Sequence, residues 1–252
     1  MNAIVLAGGT EQDQLALQHG YPNKALLPIN DLPMITYVVN ALQRCACVEQ
    51  VVVVGPMDSL SEFLPADIKL LPEVGNAVEN VLAAIKLLPQ DRKILICTSD
   101  IPLITPEALS SLFEATRDRE ADLYYPIISQ ERCVERYPGV KRTYVKLRDG
   151  SFTGGNIFIV NPSKVTRLAS IFSKLVEARK NPAKMCLTLG LPGVFLVAKL
   201  ALGWLTVREL EIRVSRILGI VGEAIDCGFP EVGTDVDKDS DLELARKVLA
   251  AG

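Results

Sequence analysis

Short apolar runs alternate along this chain with longer stretches in which apolar positions recur every three or four residues. That alternation predicts strands separated by helices. Ala3 to Leu6 is too short for a helix and stops at Gly8-Gly9, so it reads as a buried strand entering a tight loop. After Pro33, the apolar residues Met34, Ile35, Val38, Val39 and Leu42 fall on one helical face. Gln50 to Val54 is β-branched and ends at Gly55-Pro56, a second strand, and Ile68 to Leu71 is a third, ending at Pro72. Ala77 to Leu88 predicts a helix with Val78, Val81, Leu82 and Ile85 inward, and Lys93 to Thr98 a fourth strand. Thr105 is placed to cap a further helix that starts at Pro106 and buries Leu109, Leu112 and Phe113.

Strand and helix repeating at this spacing argue for βαβ units and a mostly parallel sheet, an α/β fold with helices on both faces. In such sheets ligands bind beyond the carboxyl ends of the strands. Gly8-Gly9 and Ser99-Asp100 both fall there, and are expected to face one site. From about Ala121 the rhythm changes. Leu123 to Ile128, Tyr144 to Leu147 and Asn156 to Val160 read as strands separated by charged and Gly-rich loops.

Residues 163–218 form a block that the sheet pattern does not require. Ser163 is expected to cap a helix through Leu168, Ile171, Phe172 and Leu175. From Met185 to Val207 only Lys199 is charged, and Gly190, Pro192, Gly193 and Gly203 interrupt the run. It reads first as a buried helical hairpin, second as the apolar wall of an acceptor or lipid-facing site, and last as a membrane span. Thr206-Val207-Arg208-Glu209 is a capping box for a helix through Leu210, Val214 and Leu218.

Composition narrows the function classes. The 252 residues are 49% hydrophobic and 23% charged, which supports a large core, and the net charge of −3 offers no extended nucleic-acid surface. Phosphate binding therefore has to come from a local arrangement. The single histidine, His19, makes a histidine-based zinc site or triad improbable, and the six cysteines include no Cys-x-x-Cys pair. No basic segment followed by an apolar one opens the chain, so the expectation is a cytoplasmic protein.

The chemistry starts at the first loop. Glycines let backbone approach a ligand, consecutive N–H groups form a concavity suited to phosphate, and Lys24 adds a mobile positive charge. Leu6-Ala7-Gly8-Gly9, a polar loop, Asn23-Lys24-Ala25-Leu26-Leu27-Pro28-Ile29, then Leu32-Pro33-Met34-Ile35 resembles the opening of the nucleotidyltransferases. These include the sugar-1-phosphate nucleotidyltransferases and the molybdenum-cofactor guanylyltransferase. The resemblance implies a three-layer GT-A-like nucleotide-diphospho-sugar transferase fold, here a single domain with a helical insertion at about 163–218. The nucleotide would bind in the half at about 1–120 and the acceptor in the half at about 121–252.

It also implies transfer of a nucleoside monophosphate from a nucleoside triphosphate to a phosphorylated or hydroxyl acceptor, with release of pyrophosphate. Both reactants are anionic, so a divalent metal, Mg²⁺ or Mn²⁺, is the expected cofactor. Asp100 lies in Thr98-Ser99-Asp100-Ile101-Pro102, similar to the family's metal-binding aspartate. Gly233-Thr234-Asp235-Val236-Asp237 resembles the family's closing segment, which makes Asp237 the second ligand and Asp235 its neighbour. Asp239, Ser240 and Asp241 are then cap and first-turn residues of the last helix. Lys24 and Asp100 are the expected catalytic residues. Leu6, Ala7, Gly8, Gly9, Lys24, Glu73, Gly75, Asn76 and Asn80 would bind the nucleotide, and Gly154, Gly155 and Asn156 the acceptor.

One departure stands out: Thr10-Glu11-Gln12-Asp13-Gln14-Leu15 carries two acids where relatives usually have an arginine. It keeps two rivals in view, a nucleotide sensor on the same fold and a nucleotide-sugar-dependent glycosyltransferase. The latter is disfavoured because Asp100-Ile101-Pro102 lacks the second acid of an Asp-x-Asp. The acceptor is expected to include an apolar portion if the block around 185–207 forms its wall. No transmembrane span is expected, and peripheral membrane contact stays open.

Overall fold

The computed structural model describes residues 1–8, 13–178 and 194–250. Gly9, the loop Thr10 to Gln12, and Met185 to Gly193 of the apolar block lie outside the described residues. The chain folds around a mixed, mostly parallel sheet, apart from which stand a small hairpin of β2 (Pro28–Ile29) and β3 (Leu32–Pro33) and the short helices α1 (Gln14–Gln18), α3 (Met57–Leu60) and α6 (Gln130–Arg136). β1 (Asn2–Leu6) pairs in parallel with both β4 (Gln50–Val54) and β6 (Ile94–Thr98), and β4 pairs in parallel with β5 (Lys69–Leu71).

Alternation along β1 divides the core into two. Ala3 and Val5, with Val51, Val53, Leu95 and Cys97, face a helical layer of α2 (Met34–Arg44) and α5 (Pro106–Thr116). Ile4, with Val52, Val54, Ile94 and Ile96, faces α4 (Ala77–Ile85) and Val165 of α7 (Pro162–Ala178). A strand buried on both faces has no polar position to spare, which is why these runs are continuously apolar. Each fully buried Ile or Val contributes about 1.5–3 kcal/mol. The result is the three-layer arrangement that the alternation of strand and helix predicts.

Beyond residue 121 the sheet reverses. β10 (Ile157–Val160) runs antiparallel between β6 and β7 (Leu123–Ser129), β9 (Gly150–Gly154) continues along the same edge of β7, and β8 (Val145–Leu147) pairs with β9. β11 (Gly222–Asp226) adds in parallel to the other edge of β7. The Gly-rich stretch around 150–154 and the half-polar Gly222–Asp226 lack an apolar run. Both are strands because neighbours supply their hydrogen bonds, and neither carries a sequence signal for it.

Two local expectations are corrected. The cap of α7 is Asn161, not Ser163: Asn161 Oδ1 accepts from the backbone N–H (3.1 Å) and the hydroxyl (2.8 Å) of Ser163. Asn before Pro162 is the stronger cap signal, because proline suits the first helical position. The helix expected over Ala77 to Leu88 ends at Ile85. Of the apolar block, residues 194–201 are helical (α8), and the Thr206 capping box opens α9 (Val207–Leu218). No helix among the described residues is long and apolar enough to cross a membrane.

Candidate active site

The site gathers where β1 and β6 end together, with Leu6 and Thr98 in register, so Gly8 and Asp100 leave the sheet side by side. Ser99 N donates to Leu6 O at 3.0 Å and braces the two exits. β10 runs against β6, so its first residues lie at the same edge: Ile157 pairs with Cys97, and Thr98 N donates to Asn156 O. The reversal of one strand brings the Gly154-Gly155-Asn156 turn to the edge where the glycine loop emerges.

Asp100 is held by Thr98, whose hydroxyl donates to Asp100 Oδ1 at 2.5 Å. Its backbone oxygen accepts from Val236 N at 2.9 Å, which ties the late segment 234–238 to the end of β6. Val236 is buried among Leu103, Leu242 and Ala245. In extended chain the residues on either side of an inward one point the other way, so Asp235 and Asp237 both face the site. One oxygen or more from each of Asp100, Asp235 and Asp237 lie within 4.8 Å of one another.

Lys24 enters from the opposite side. Asn23 caps the short 3-10 turn Lys24–Leu26 by accepting from Ala25 N at 2.7 Å, and its amide donates to Ala7 O at 2.8 Å. Buried Ala25 and Leu27 anchor the turn. Lys24 Nζ then donates to Asp100 Oδ2 at 2.9 Å and to Asp237 Oδ1 at 2.6 Å. The sequence reasoning that singled out these acids missed a second cation. Arg142, its side chain only 9% exposed, donates to Gly233 O and to Asp235 Oδ1, the latter at 3.0 Å. Arg142 sits in a loop without periodicity, far from the acids in sequence, and nothing in its neighbours marks it.

Each ionisation reflects its neighbours. Burial lowers the Lys24 pKa, but the charge of Asp100 and hydrogen bonds to both carboxylates outweigh that, so the ammonium is held protonated beyond its usual range. Burial also opposes ionisation of Asp237, yet its bond to Lys24 wins and its pKa is lowered. Asp235 goes the other way: burial and the charges of Asp237 and Asp100 raise its pKa despite Arg142.

Three carboxylates against two cations leave the cluster one negative charge, a donor set suited to a hard divalent ion. Two oxygens on one Mg²⁺ lie at most about 4.2 Å apart. The cluster needs only a small contraction to fit. Lys24 already bridges Asp100 and Asp237 as a cation would, while Asp235 is tied to Arg142. The residues present fit a metal, which two or more of these three carboxylates would hold.

Across from Gly8 stands Glu73: a Cβ at Gly8 would lie 1.9 Å from Glu73 Oε1, so any larger residue there would push the Glu73 side chain aside. The amides expected to read a base are engaged within their own loop. Asn76 Oδ1 caps α4 by accepting from Val78 N and Glu79 N, while Glu79 accepts from Asn76 N. Buried Asn80 accepts from Val74 N at 2.8 Å and donates to Gly75 O at 3.3 Å.

On the other side of the acids lies a cleft of about 350 Å³, whose lining includes Lys141, Arg142, Thr153, Gly154, Asn156 and Lys238 together with Asp235 and Asp237. The Tyr125 hydroxyl stands where a Gly154 side chain would be, and a Cβ at Gly155 would press into Val232 at 2.8 Å. Of the expected acceptor residues, Gly154 and Asn156 line this cleft, and Gly155 packs behind it. Lys141, Arg142 and Lys238 carry its positive charge, and none was selected from sequence. In the last helix, α10 (Asp239–Ala250), Asp239 and Asp241 occupy the first turn; Asp241 accepts from Asp237 N at 3.2 Å, and Asp239 pairs with His19.

Comparison with known proteins agrees with this architecture. The chain is 34% identical over 116 residues to the bifunctional protein GlmU of Rhodospirillum rubrum, covering 45% of this chain but only 25% of that one. A hypothetical transferase from Thermus thermophilus superposes with a TM-score of 0.83 at 36% identity, over 96% of this chain and 98% of the other. A CMP:2-keto-3-deoxy-manno-octonic acid synthetase solved with CTP shares the fold, with a TM-score of 0.64 at 15% identity over 100% of this chain and 98% of that one. Residues 3–194 match the MobA-like NTP transferase domain, and the chain belongs to that nucleotidyltransferase family.

Proposed function

We propose that this protein transfers a nucleoside monophosphate from a nucleoside triphosphate to a phosphorylated acceptor, releases pyrophosphate, and uses Mg²⁺ or Mn²⁺ to do so. The observation that carries the reading is the single ammonium of Lys24 hydrogen-bonded to Asp100 and Asp237, residues 137 positions apart in sequence by their numbers. A divalent ion held there would neutralise the triphosphate and polarise its α-phosphate.

The protein's own part is positioning. Backbone from Leu6 to Gly8, with Gly9 beyond it, cradles phosphates. The long stem of Lys24 lets its charge leave the carboxylates for phosphate oxygens, while in the resting cluster Asp100 and Asp237 hold it protonated. Glu73 and the backbone of Val74 and Gly75 read the base, with Asn76 and Asn80 holding that loop in shape. Lys141, Arg142 and Lys238 favour a phosphorylated acceptor over a neutral hydroxyl once a metal offsets Asp235 and Asp237, since the polar cleft sets these three cations beside three carboxylates. Gly154 and Asn156 would shape its floor. Expulsion of pyrophosphate then needs no protein base, because the attacking phosphate is already an anion.

Calorimetry with each nucleoside triphosphate, with and without Mg²⁺, followed by a pyrophosphate-release assay over a panel of phosphorylated acceptors, tests this. The expected result is Mg²⁺-dependent binding of one triphosphate and release that requires acceptor. Binding with no release for any acceptor favours a nucleotide sensor on the same fold. Undiminished turnover by Asp100→Ala with metal present would sink the assignment of the site.

A further inference from the structure

Cations and carboxylates line the cleft in equal number, Lys141, Arg142 and Lys238 against Asp235, Asp237 and Asp241, so no general field draws an anion into it. A phosphate there needs a specific grip, and the three cations differ in what they offer. Lys141 and Lys238 are exposed, which leaves them as screened point charges. Arg142 is sheltered, its side chain only 9% exposed. Tyr137 and Val140, just before it in the chain, pack in the same apolar cluster as Val236. The loop that carries Arg142 and the segment that carries Asp235 and Asp237 are therefore held against each other.

The guanidinium is only half used. Its Nη1 donates to Gly233 O and to Asp235 Oδ1, the latter at 3.0 Å, while Nε and Nη2 bond to nothing among the described residues. Among those residues the Thr36 hydroxyl is the one side-chain polar atom that is both fully buried and without a partner. The free nitrogens of Arg142 thus reach open space, and the space that Arg142 lines is the cleft. Nε and Nη2 form one edge of the planar fork, the geometry that takes two oxygens of a phosphate at once. Behind the fork, an oxygen of Asp235 lies within 4.8 Å of oxygens of Asp100 and Asp237. One guanidinium stands between the cleft and the acids.

We infer that Arg142 couples the two, its Nε–Nη2 edge gripping the acceptor's phosphate while Nη1 stays on Asp235, so that phosphate and divalent ion each bind more tightly when the other is present. The inference rests on the reading of the acids as a metal centre and of the cleft as a phosphate site. Phosphate on the free edge offsets positive charge that the bare protein turns on Asp235, which makes the three carboxylates a better seat for a cation. By linkage the ion strengthens the hold on phosphate by the same factor. Arg142 is then a positioning residue, which sets the acceptor's phosphate at a fixed place beside the acids.

Binding alone tests this, with Mn²⁺ and inorganic phosphate as probes and no turnover needed. Free Mn²⁺ is followed by its electron paramagnetic resonance signal as the purified full chain is titrated, with and without phosphate. Protein-free samples correct for the complex of ion and phosphate. The expected result is that phosphate tightens Mn²⁺ binding about tenfold in the parent protein. Arg142→Lys keeps a charge in the cleft but not the fork, and loses most of the tightening. Asp235→Asn leaves Arg142 in place and loses it too; this variant carries the test if circular dichroism shows that Arg142→Lys does not fold. Tightening equal to the parent's in either variant overturns the inference and assigns the coupling to phosphate touching the ion directly. Mn²⁺ affinity indifferent to phosphate in the parent overturns the inference and leaves the metal centre standing. No Mn²⁺ binding by the parent overturns both.

Discussion

Replacing Lys24 with methionine isolates the bridge between Asp100 and Asp237. The variant keeps much of the stem's packing and removes the ammonium, leaving two facing carboxylates without a counter-ion. The Lys24–Asp100 pair is sheltered, with side chains 15% and 20% exposed, whereas Asp237 is 67% exposed. A sheltered charged hydrogen bond is worth about 1.5–3 kcal/mol and a solvent-screened pair about 0–1 kcal/mol. The expected loss in the metal-free protein is about 2–3 kcal/mol, a fall in Tm of about 5–10 °C.

Adding Mg²⁺ neutralises the same carboxylates, so the gap to the parent protein closes in thermal melts as the metal is titrated. Without nucleotide, the ion no longer competes with a resident ammonium. A competitor worth about 2 kcal/mol corresponds to about 30-fold tighter Mg²⁺ binding by calorimetry. Turnover is expected to fall nevertheless, because under the proposed function no side-chain cation then follows the phosphates. Equal melting of parent and variant in chelator, or Mg²⁺ binding no tighter in the variant, refutes the reasoning.

Asp235→Asn is expected to melt higher than the parent near neutral pH without metal. Asp235 has a raised pKa in the fold, so its ionised form costs stability above its ordinary pKa; that cost vanishes as pH falls and the group is protonated in both states. The advantage of the variant should shrink in acid melts. Asn80→Ala strips a buried clamp from Val74 N and Gly75 O, so a loss of about 1–3 kcal/mol in chemical denaturation and a raised KM for the triphosphate are expected, with the acceptor's KM unmoved. Gly155→Ala drives a methyl into buried Val232, and overpacking there is expected to cost about 1–3 kcal/mol while weakening acceptor saturation. Arg142→Met should raise the acceptor's KM by about tenfold or more, since it removes a cation from the cleft and the brace on Asp235.

The parts of the fold legible in the sequence were those that bury two faces. β1, β4 and β6 announce themselves because four of the five positions in each are apolar, and α2 and α5 because their spacing leaves one apolar stripe. β9 and β11 were silent, since strands supplied with hydrogen bonds by neighbours need no apolar run of their own. At the site, Asp100 was visible because an acid directly after a buried strand has nowhere to go but the sheet's edge. Asp235 and Asp237 were visible through the resemblance, and the inward Val236 between them supplies the geometric reason they face together. Arg142, Lys141 and Tyr125 were invisible because their place is set by long-range packing. Asn76 and Asn80 show the limit of residue type as a guide: an amide able to meet a base edge is equally able to hold a turn, and here both do.

The tether from Val236 N to the backbone oxygen of Asp100 has a consequence for how activity arises in time. The strands β1, β4, β5 and β6 are all complete in the sequence by residue 98. Asp100 then waits without its partner until more than a hundred further residues have been made and the segment around Val236 has docked. A chain cut short of Val236 would keep all four of these strands and Asp100 yet lack Asp235 and Asp237, the other two carboxylates of the cluster.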